Sequence, residues 1–127
     1  MKIIIGIFLI LSTMVLNAQD SISVEWAPFV KAKGITDKQL VNAANSVNLE
    51  FLSKQVGFIK RELIKKNDLE YADVIHWSSK QEALKAGEKV FDCEKCNEYF
   101  KLMDMQASAN AGSGFSHYII LKSWNSN

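Results

Sequence analysis

Only two of the 127 residues are cysteine, too few for a scaffold built on disulfides. Charge of one sign is not in excess: 15 Lys and Arg stand against 14 Asp and Glu, a formal net charge of +1, which excludes a polybasic nucleic-acid binder. Proline occurs once, at Pro28. Internal repeats, low-complexity tracts, a glycine-rich phosphate loop and a nucleophile elbow are all missing. What is present is a 48% hydrophobic share, too high for a disordered chain, in a length that suits one domain.

The first residues carry a targeting signal. Lys2 precedes an apolar run from Ile3 to Leu11, interrupted by Ser12 and Thr13 and extended by Met14, Val15 and Leu16. The run is broken and shorter than the ~20 apolar residues of a bilayer span. A short positive region, a short apolar core and a small residue before a polar stretch describe a secretory signal peptide over residues 1–18, with cleavage after Ala18. Loss of Lys2 leaves 14 basic against 14 acidic side chains in the single domain spanning 19–127. The expected location is periplasmic or secreted, with no membrane contact after cleavage, and disulfides persist there.

Ser21 to Val30 alternates with period two and reads as a strand that frays or runs along an edge at Pro28. Thr36 and Gln39 form a capping box, and the apolar spacing of Leu40, Ala43, Ala44, Val47 and Phe51 predicts a helix over 37–55. Residues 58–65 carry charge on both parities and suit an edge strand, with Lys60-Arg61 and Lys65-Lys66 on a solvated edge. Residues 70–78 form the next strand of a hairpin. Ser79 with Glu82 opens a second helix over 80–91, with Ala83, Leu84, Val90 and Phe91 facing the core. Residues 93–103 make a short further helix, 107–114 a small polar loop, and 115–124 the last strand. The order β-α-β-β-α-β is the ferredoxin-like α+β arrangement, a four-stranded antiparallel sheet in spatial order 4-1-3-2 with helices on one face.

The third and fourth strands are apolar on both parities: Val74 against Ile75 and Trp77, and Tyr118 and Ile120 against Phe115, Ile119 and Leu121. Strands of that kind are buried on both faces. One chain of this size cannot cover the second face, so the expectation is a homodimer packed sheet to sheet.

At these residues the chain resembles a family. Gly34-Ile35-Thr36-Asp37 before a helix, Gly57-Phe58 opening a strand, and Val74-Ile75-His76-Trp77-Ser78-Ser79 running into a helix resemble the dimeric α+β barrel superfamily, and within it the antibiotic-biosynthesis-monooxygenase-like domains. The resemblance covers most of residues 22–124. It implies a homodimeric barrel with a small-molecule pocket between sheet and helices, and it includes cofactor-independent oxygenases of aromatic polyketides and quinols. Haem-degrading members carry a second tryptophan one helix length after the Trp-x-Ser turn and then a histidine; here Ala86-Gly87 and residues 97–102 offer neither.

Two histidines and two cysteines are the candidate chemical groups. His76 is the candidate base for a phenol or quinol, because its unperturbed pKa lies near neutrality. Trp26, Trp77, His117 and Tyr118 are the candidate substrate pocket for a small apolar or aromatic molecule. The strand order separates the two histidines by two strand spacings, so no metal site is expected, and no cofactor. Cys93 and Cys96 form a CxxC expected to be oxidised in an exported protein as a structural disulfide. A redox role needs an exposed sulfur at a helix start. Two functions remain open from sequence: a cofactor-independent monooxygenase or oxidoreductase acting on an aromatic or quinol-like molecule, or a non-catalytic binding or stress-response module of the same fold.

Overall fold

Burial alternates along Ser23–Val30, and this run forms the first strand, β1. The computed structural model describes residues 21–112 and 114–127. The expected leader, residues 1–18, lies outside them. After β1 come α1 (Asp37–Glu50), β2 (Phe58–Lys65), β3 (Glu70–Trp77), α2 (Lys80–Lys89), α3 (Glu94–Phe100), α4 (Met105–Asn110) and β4 (Ser116–Ile119). Short 3-10 turns at Leu52–Lys54 and Val90–Asp92 follow α1 and α2. Among the described residues no helix is long and apolar enough to cross a membrane.

The sheet order is β2-β3-β1-β4, and every pairing is antiparallel. This is the predicted 4-1-3-2 order. The capping box that starts α1 is complete: the Gln39 amide donates to Thr36 Oγ1 at 3.2 Å, and the Thr36 amide donates to Gln39 Oε1 at 2.8 Å. Leu40, Ala44 and Val47 on one stripe of α1 are buried against the sheet, joined by Phe51, Leu52, Phe29, Tyr71, Ile75 and Trp77. Ser79 caps α2 by accepting from the Glu82 amide.

Three expectations need correction. The last strand is shorter than residues 115–124. β4 pairs only with Ser23–Trp26 of β1, and beyond Ile120, whose amide donates to Ile22 O, β1 has no more edge to offer. Residues 105–110 form a helix where a loop is expected, because Asp104 caps it by accepting from the Ala107 amide at 2.9 Å and Ala107 and Ala109 favour the helix. Arg61 is not on a solvated edge: its side chain is only 7% exposed and points under α1.

Pro28 proves compatible with a central strand. It lies two residues past the last β1–β4 pair, Trp26 with Ser116, so no β4 carbonyl awaits the amide proton it lacks. The remaining β1 edge is covered by the start of α4. The Val30 amide donates to Ser108 Oγ at 2.9 Å, and the Asp104 amide donates to Val30 O at 2.8 Å.

Candidate functional site

Alternation along the strands divides the sheet into two chemically different faces. Ser23, Glu25, Ala27 and Phe29 of β1 and Tyr71, Asp73, Ile75 and Trp77 of β3 face the helices. The β2 residues paired with them, Arg61 and Leu63, and His117 of β4 lie on the same face. Between this face and the helices is a cavity of about 730 Å³. Most of its wall is apolar and aromatic, including Phe51, Phe91, Phe100 and Phe115. Its polar side chains are Glu25, Arg61, Asp73 and His117 on the sheet, Tyr99 on α3, and Lys80 and Glu88 on α2.

Asp73, Arg61 and Tyr99 form one buried network. Arg61 Nε donates to Asp73 Oδ1 at 2.8 Å, and its Nη1 donates to Ala44 O at 2.8 Å. The Tyr99 hydroxyl donates to Asp73 Oδ2 at 2.9 Å, and the Arg61 guanidinium stands 5.1 Å from the centre of the Tyr99 ring. Burial, and then the neighbouring Asp73 charge, push the Tyr99 hydroxyl well above the ordinary tyrosine range. It is therefore a fixed donor. Both Asp73 oxygens have partners, so the network braces the cavity floor.

Glu25 is different. Its side chain is 13% exposed and, among the described residues, no Lys or Arg is bound to its carboxyl group as Arg61 is bound to Asp73. Burial raises its pKa to about 7, and repulsion from Asp73 adds to the rise. The nearby Trp77 indole N–H partly offsets this, as does the Arg61 charge. Across the ladder, His117 Nε2 lies 3.4 Å from Glu25 Oε1. Burial, and then Lys80, lower the pKa of His117. Near neutral pH the site thus holds a carboxyl group close to half ionised beside a neutral imidazole.

The residues expected to share one pocket divide between the faces. Trp77 and His117 line the cavity. His76 pairs with Val24 and Lys60, and Trp26 with Val74, so both belong to the opposite, open face, as does Tyr118, which pairs with Val24. His76 therefore does not meet Trp77 or His117 in one site: consecutive residues of a strand point to opposite sides. Leu84 and Phe91, expected in the core, are 48% and 73% exposed and stand at the cavity wall. Sequence patterns alone assign no chemical role to Glu25, Arg61, Asp73 or Tyr99. A signal was there: Glu25 and Asp73 occupy the buried parity of their strands, between Ser23 and Ala27 and between Tyr71 and Ile75.

Cys93 and Cys96 are joined, with Cα atoms 5.2 Å apart. Among the described residues no group of three His, Cys, Asp or Glu side chains is placed to hold a metal ion.

No protein-family model matches the sequence, and no curated protein matches it. Solved structures do share its shape. A variant of SnoaB, a cofactor-independent oxygenase from Streptomyces nogalater, superposes with a TM-score of 0.62 at 11% identity, over 81% of this chain and 96% of that one. A conserved protein from Methanosarcina mazei gives 0.53 at 13% identity over 83% and 96%. A dimeric ferredoxin-like protein from an uncultured marine organism gives 0.52 at 12% identity over 86% and 96%. The chain shares the ferredoxin-like α+β fold of these solved structures.

Proposed function

We propose that this chain is an exported homodimer that binds a small planar aromatic molecule in the cavity and removes an acidic O–H proton from it with Glu25. The observation that carries the reading is a buried carboxyl group poised near neutrality in an aromatic-walled cavity of about 730 Å³. A space of that size suits a ligand of two or three fused rings. A base works best when its pKa lies near the working pH. Glu25 meets that condition and faces the cavity.

An aromatic anion formed there is electron-rich and reacts with dioxygen. For a quinol the balance closes without a cofactor: two electrons and two protons pass from quinol to O₂, giving quinone and hydrogen peroxide. The SnoaB likeness supports the fold that such chemistry uses, and the residues of this cavity support the acid–base step.

Homodimer formation is supported by the open face. Ile22, Trp26, Ile64 and Tyr118 are exposed there, beside half-buried Val24 and Val74. A second copy laid on this face would cover them, and one solved protein of the same fold is dimeric.

The test uses 1-naphthol for binding, by calorimetry, and 1,4-naphthalenediol for oxygen uptake above the uncatalysed rate. The expected result is binding by both wild type and Glu25→Gln, with uptake reduced at least ~100-fold in the variant. Binding with no uptake by the wild type would make the protein a binding module. No binding would remove the reading altogether.

A further inference from the structure

We propose that the Cys93–Cys96 disulfide is a reversible switch, opened from the solvent side by a dithiol reductant, that sets how firmly the cavity wall is held. The inference rests on the cavity being the ligand site, as read above. The two sulfurs belong to different surroundings. Cys96 is 1% exposed and lines the main cavity. Cys93 is half-buried and borders a separate open surface depression of about 400 Å³, which it shares with Glu50, Lys89 and Lys95. One disulfide therefore connects the surface to the cavity wall.

The segments on either side of this bond pack on each other. Cys93 is the N-cap of α3, and its sulfur accepts from the Cys96 amide at 3.1 Å. Just before it, Phe91 packs on Phe100 with ring centres 6.2 Å apart, and both line the cavity. Asn97 Nδ2 donates to Phe91 O at 3.0 Å and links the same two segments. One turn further on, Tyr99 braces Asp73. Opening the disulfide frees the first turn of α3 and with it the Phe91–Phe100 contact.

The bond is also one the fold can lose. The cysteines are three residues apart, so the closed loop is very short and its entropic contribution to stability is small. In the exchange, a thiolate of the reductant attacks Cys93 Sγ, the Cys93–Cys96 bond breaks, and Cys96 leaves as a thiolate that takes a proton. The reductant's second thiol then attacks its own sulfur in the mixed disulfide and releases Cys93. The protein gains two electrons and two protons, and the dithiol becomes a disulfide. Glu50, Asp92 and Glu94 outnumber Lys89 and Lys95 around the depression, so its side chains supply no cationic field to activate Cys93 as in a fast oxidoreductase. That favours a switch over a turnover enzyme.

The test compares oxidised protein, protein reduced with dithiothreitol, and the Cys93→Ser/Cys96→Ser variant. Two thiols are expected to appear while near-ultraviolet circular dichroism stays native. Amide hydrogen exchange over residues 90–100 should accelerate at least ~10-fold in the reduced and variant proteins, and 1-naphthol should bind about 10-fold more weakly. Unchanged exchange in both, or a disulfide that opens only as the whole domain unfolds, would overturn the switch. Equal 1-naphthol affinity in all three forms would overturn its link to the cavity. If 1-naphthol binds none of them while exchange accelerates, the switch stands and the ligand reading fails.

Discussion

Glu25 Oε1 and His117 Nε2 face each other at 3.4 Å across neighbouring strands, and their environments move their pKa values in opposite directions. The carboxyl group is held up to about 7 by burial and by Asp73. The imidazole is held down by burial and by Lys80, and stays neutral when Glu25 titrates. A proton taken by Glu25 thus has an adjacent acceptor through which it can leave. The kcat/KM for oxygen uptake should rise with pH through a single ionisation near 7 and vanish in Glu25→Gln. His117→Gln should slow turnover about 10-fold and be partly rescued by added imidazole. A flat profile between pH 5 and 9 would remove Glu25 from the chemistry.

The same ionisation costs stability. Between the ordinary carboxyl value of 4.5 and about 7, the folded chain holds a proton that the unfolded chain has released. Stability must therefore fall as pH rises through that window, by about 3 kcal/mol for a shift of this size. The lowered pKa of His117 acts the other way below its ordinary value of 6.5, so the Glu25 contribution has to be isolated by difference. Urea unfolding at pH 5 and pH 8 should show wild type gaining less, or losing more, than Glu25→Gln on going to the higher pH. Equal changes in the two proteins would contradict the raised pKa of this buried carboxyl group.

His76 and Trp26 share the open face, on β3 and β1. Trp26 is 37% exposed, and His76 Nδ1 is buried without a hydrogen-bond partner among the described residues. A homodimer formed on this face would cover both. Trp26→Glu should convert the dimer to a monomer in light scattering, because a charge would be buried opposite a second apolar sheet. His76→Ala should keep oxygen uptake within about threefold of wild type and weaken the dimer instead. Loss of turnover in a still dimeric His76→Ala protein would restore His76 as the base.

How much of this was legible in the sequence depended on the kind of signal. The capping box of Thr36 and Gln39, the period of α1 and the strand alternation report local physics: α1 starts at Asp37 as the box requires, though it ends at Glu50, and β2 and β3 form at the expected residues, while β4 is shorter than expected. Strand order followed from topology. The site did not follow, because the residue types that attract attention, His76 and Trp26, lie on the face turned away from the helices. The useful signal was a polar residue on a buried parity, as at Glu25 and Asp73. Arg61 was misplaced for a related reason: charge on both parities of β2 suggests an edge in water, and only the fold reveals Asp73 and Ala44 O within its reach. α4 was hidden because Ala107–Gly114 blends a helix end with the loop that follows it.

Gly57 is a position where the fold demands glycine. Its φ is +85°, and a Cβ there would stand 2.6 Å from Ser78 Oγ and 2.7 Å from Glu82 Cβ. The turn from Gly57 into β2 also accepts the Ser78 amide on its carbonyl at 2.7 Å, fixing the entry to α2. Gly57→Ala should lose about 2 kcal/mol in urea unfolding through strain and steric overlap together. Gly34, with φ +84° but open space around it, should show only the conformational part, about 1 kcal/mol.

Arg61 tests whether the cavity floor depends on its buried ion pair. Both side chains are almost fully enclosed, Arg61 at 7% and Asp73 at 8% exposure. Arg61→Met keeps most of the length and removes the charge, which leaves the buried Asp73 carboxyl group with the Tyr99 hydroxyl as its one side-chain partner among the described residues. Breaking such a pair costs about 3–5 kcal/mol, mostly the penalty of the stranded carboxylate. Adding Asp73→Leu to Arg61→Met removes that stranded charge and should recover much of the loss, since two matched apolar groups replace the pair. Tyr99→Phe deletes one hydrogen bond and should cost about 1–3 kcal/mol. Losing the Arg61 charge also removes an influence that lowers the Glu25 pKa, so the pH midpoint of oxygen uptake should move upward in Arg61→Met. In the double variant the repulsion from Asp73 is gone too, and the midpoint should return toward or below 7. A double variant no more stable than Arg61→Met would show that the network holds the floor by its shape and not by charge pairing.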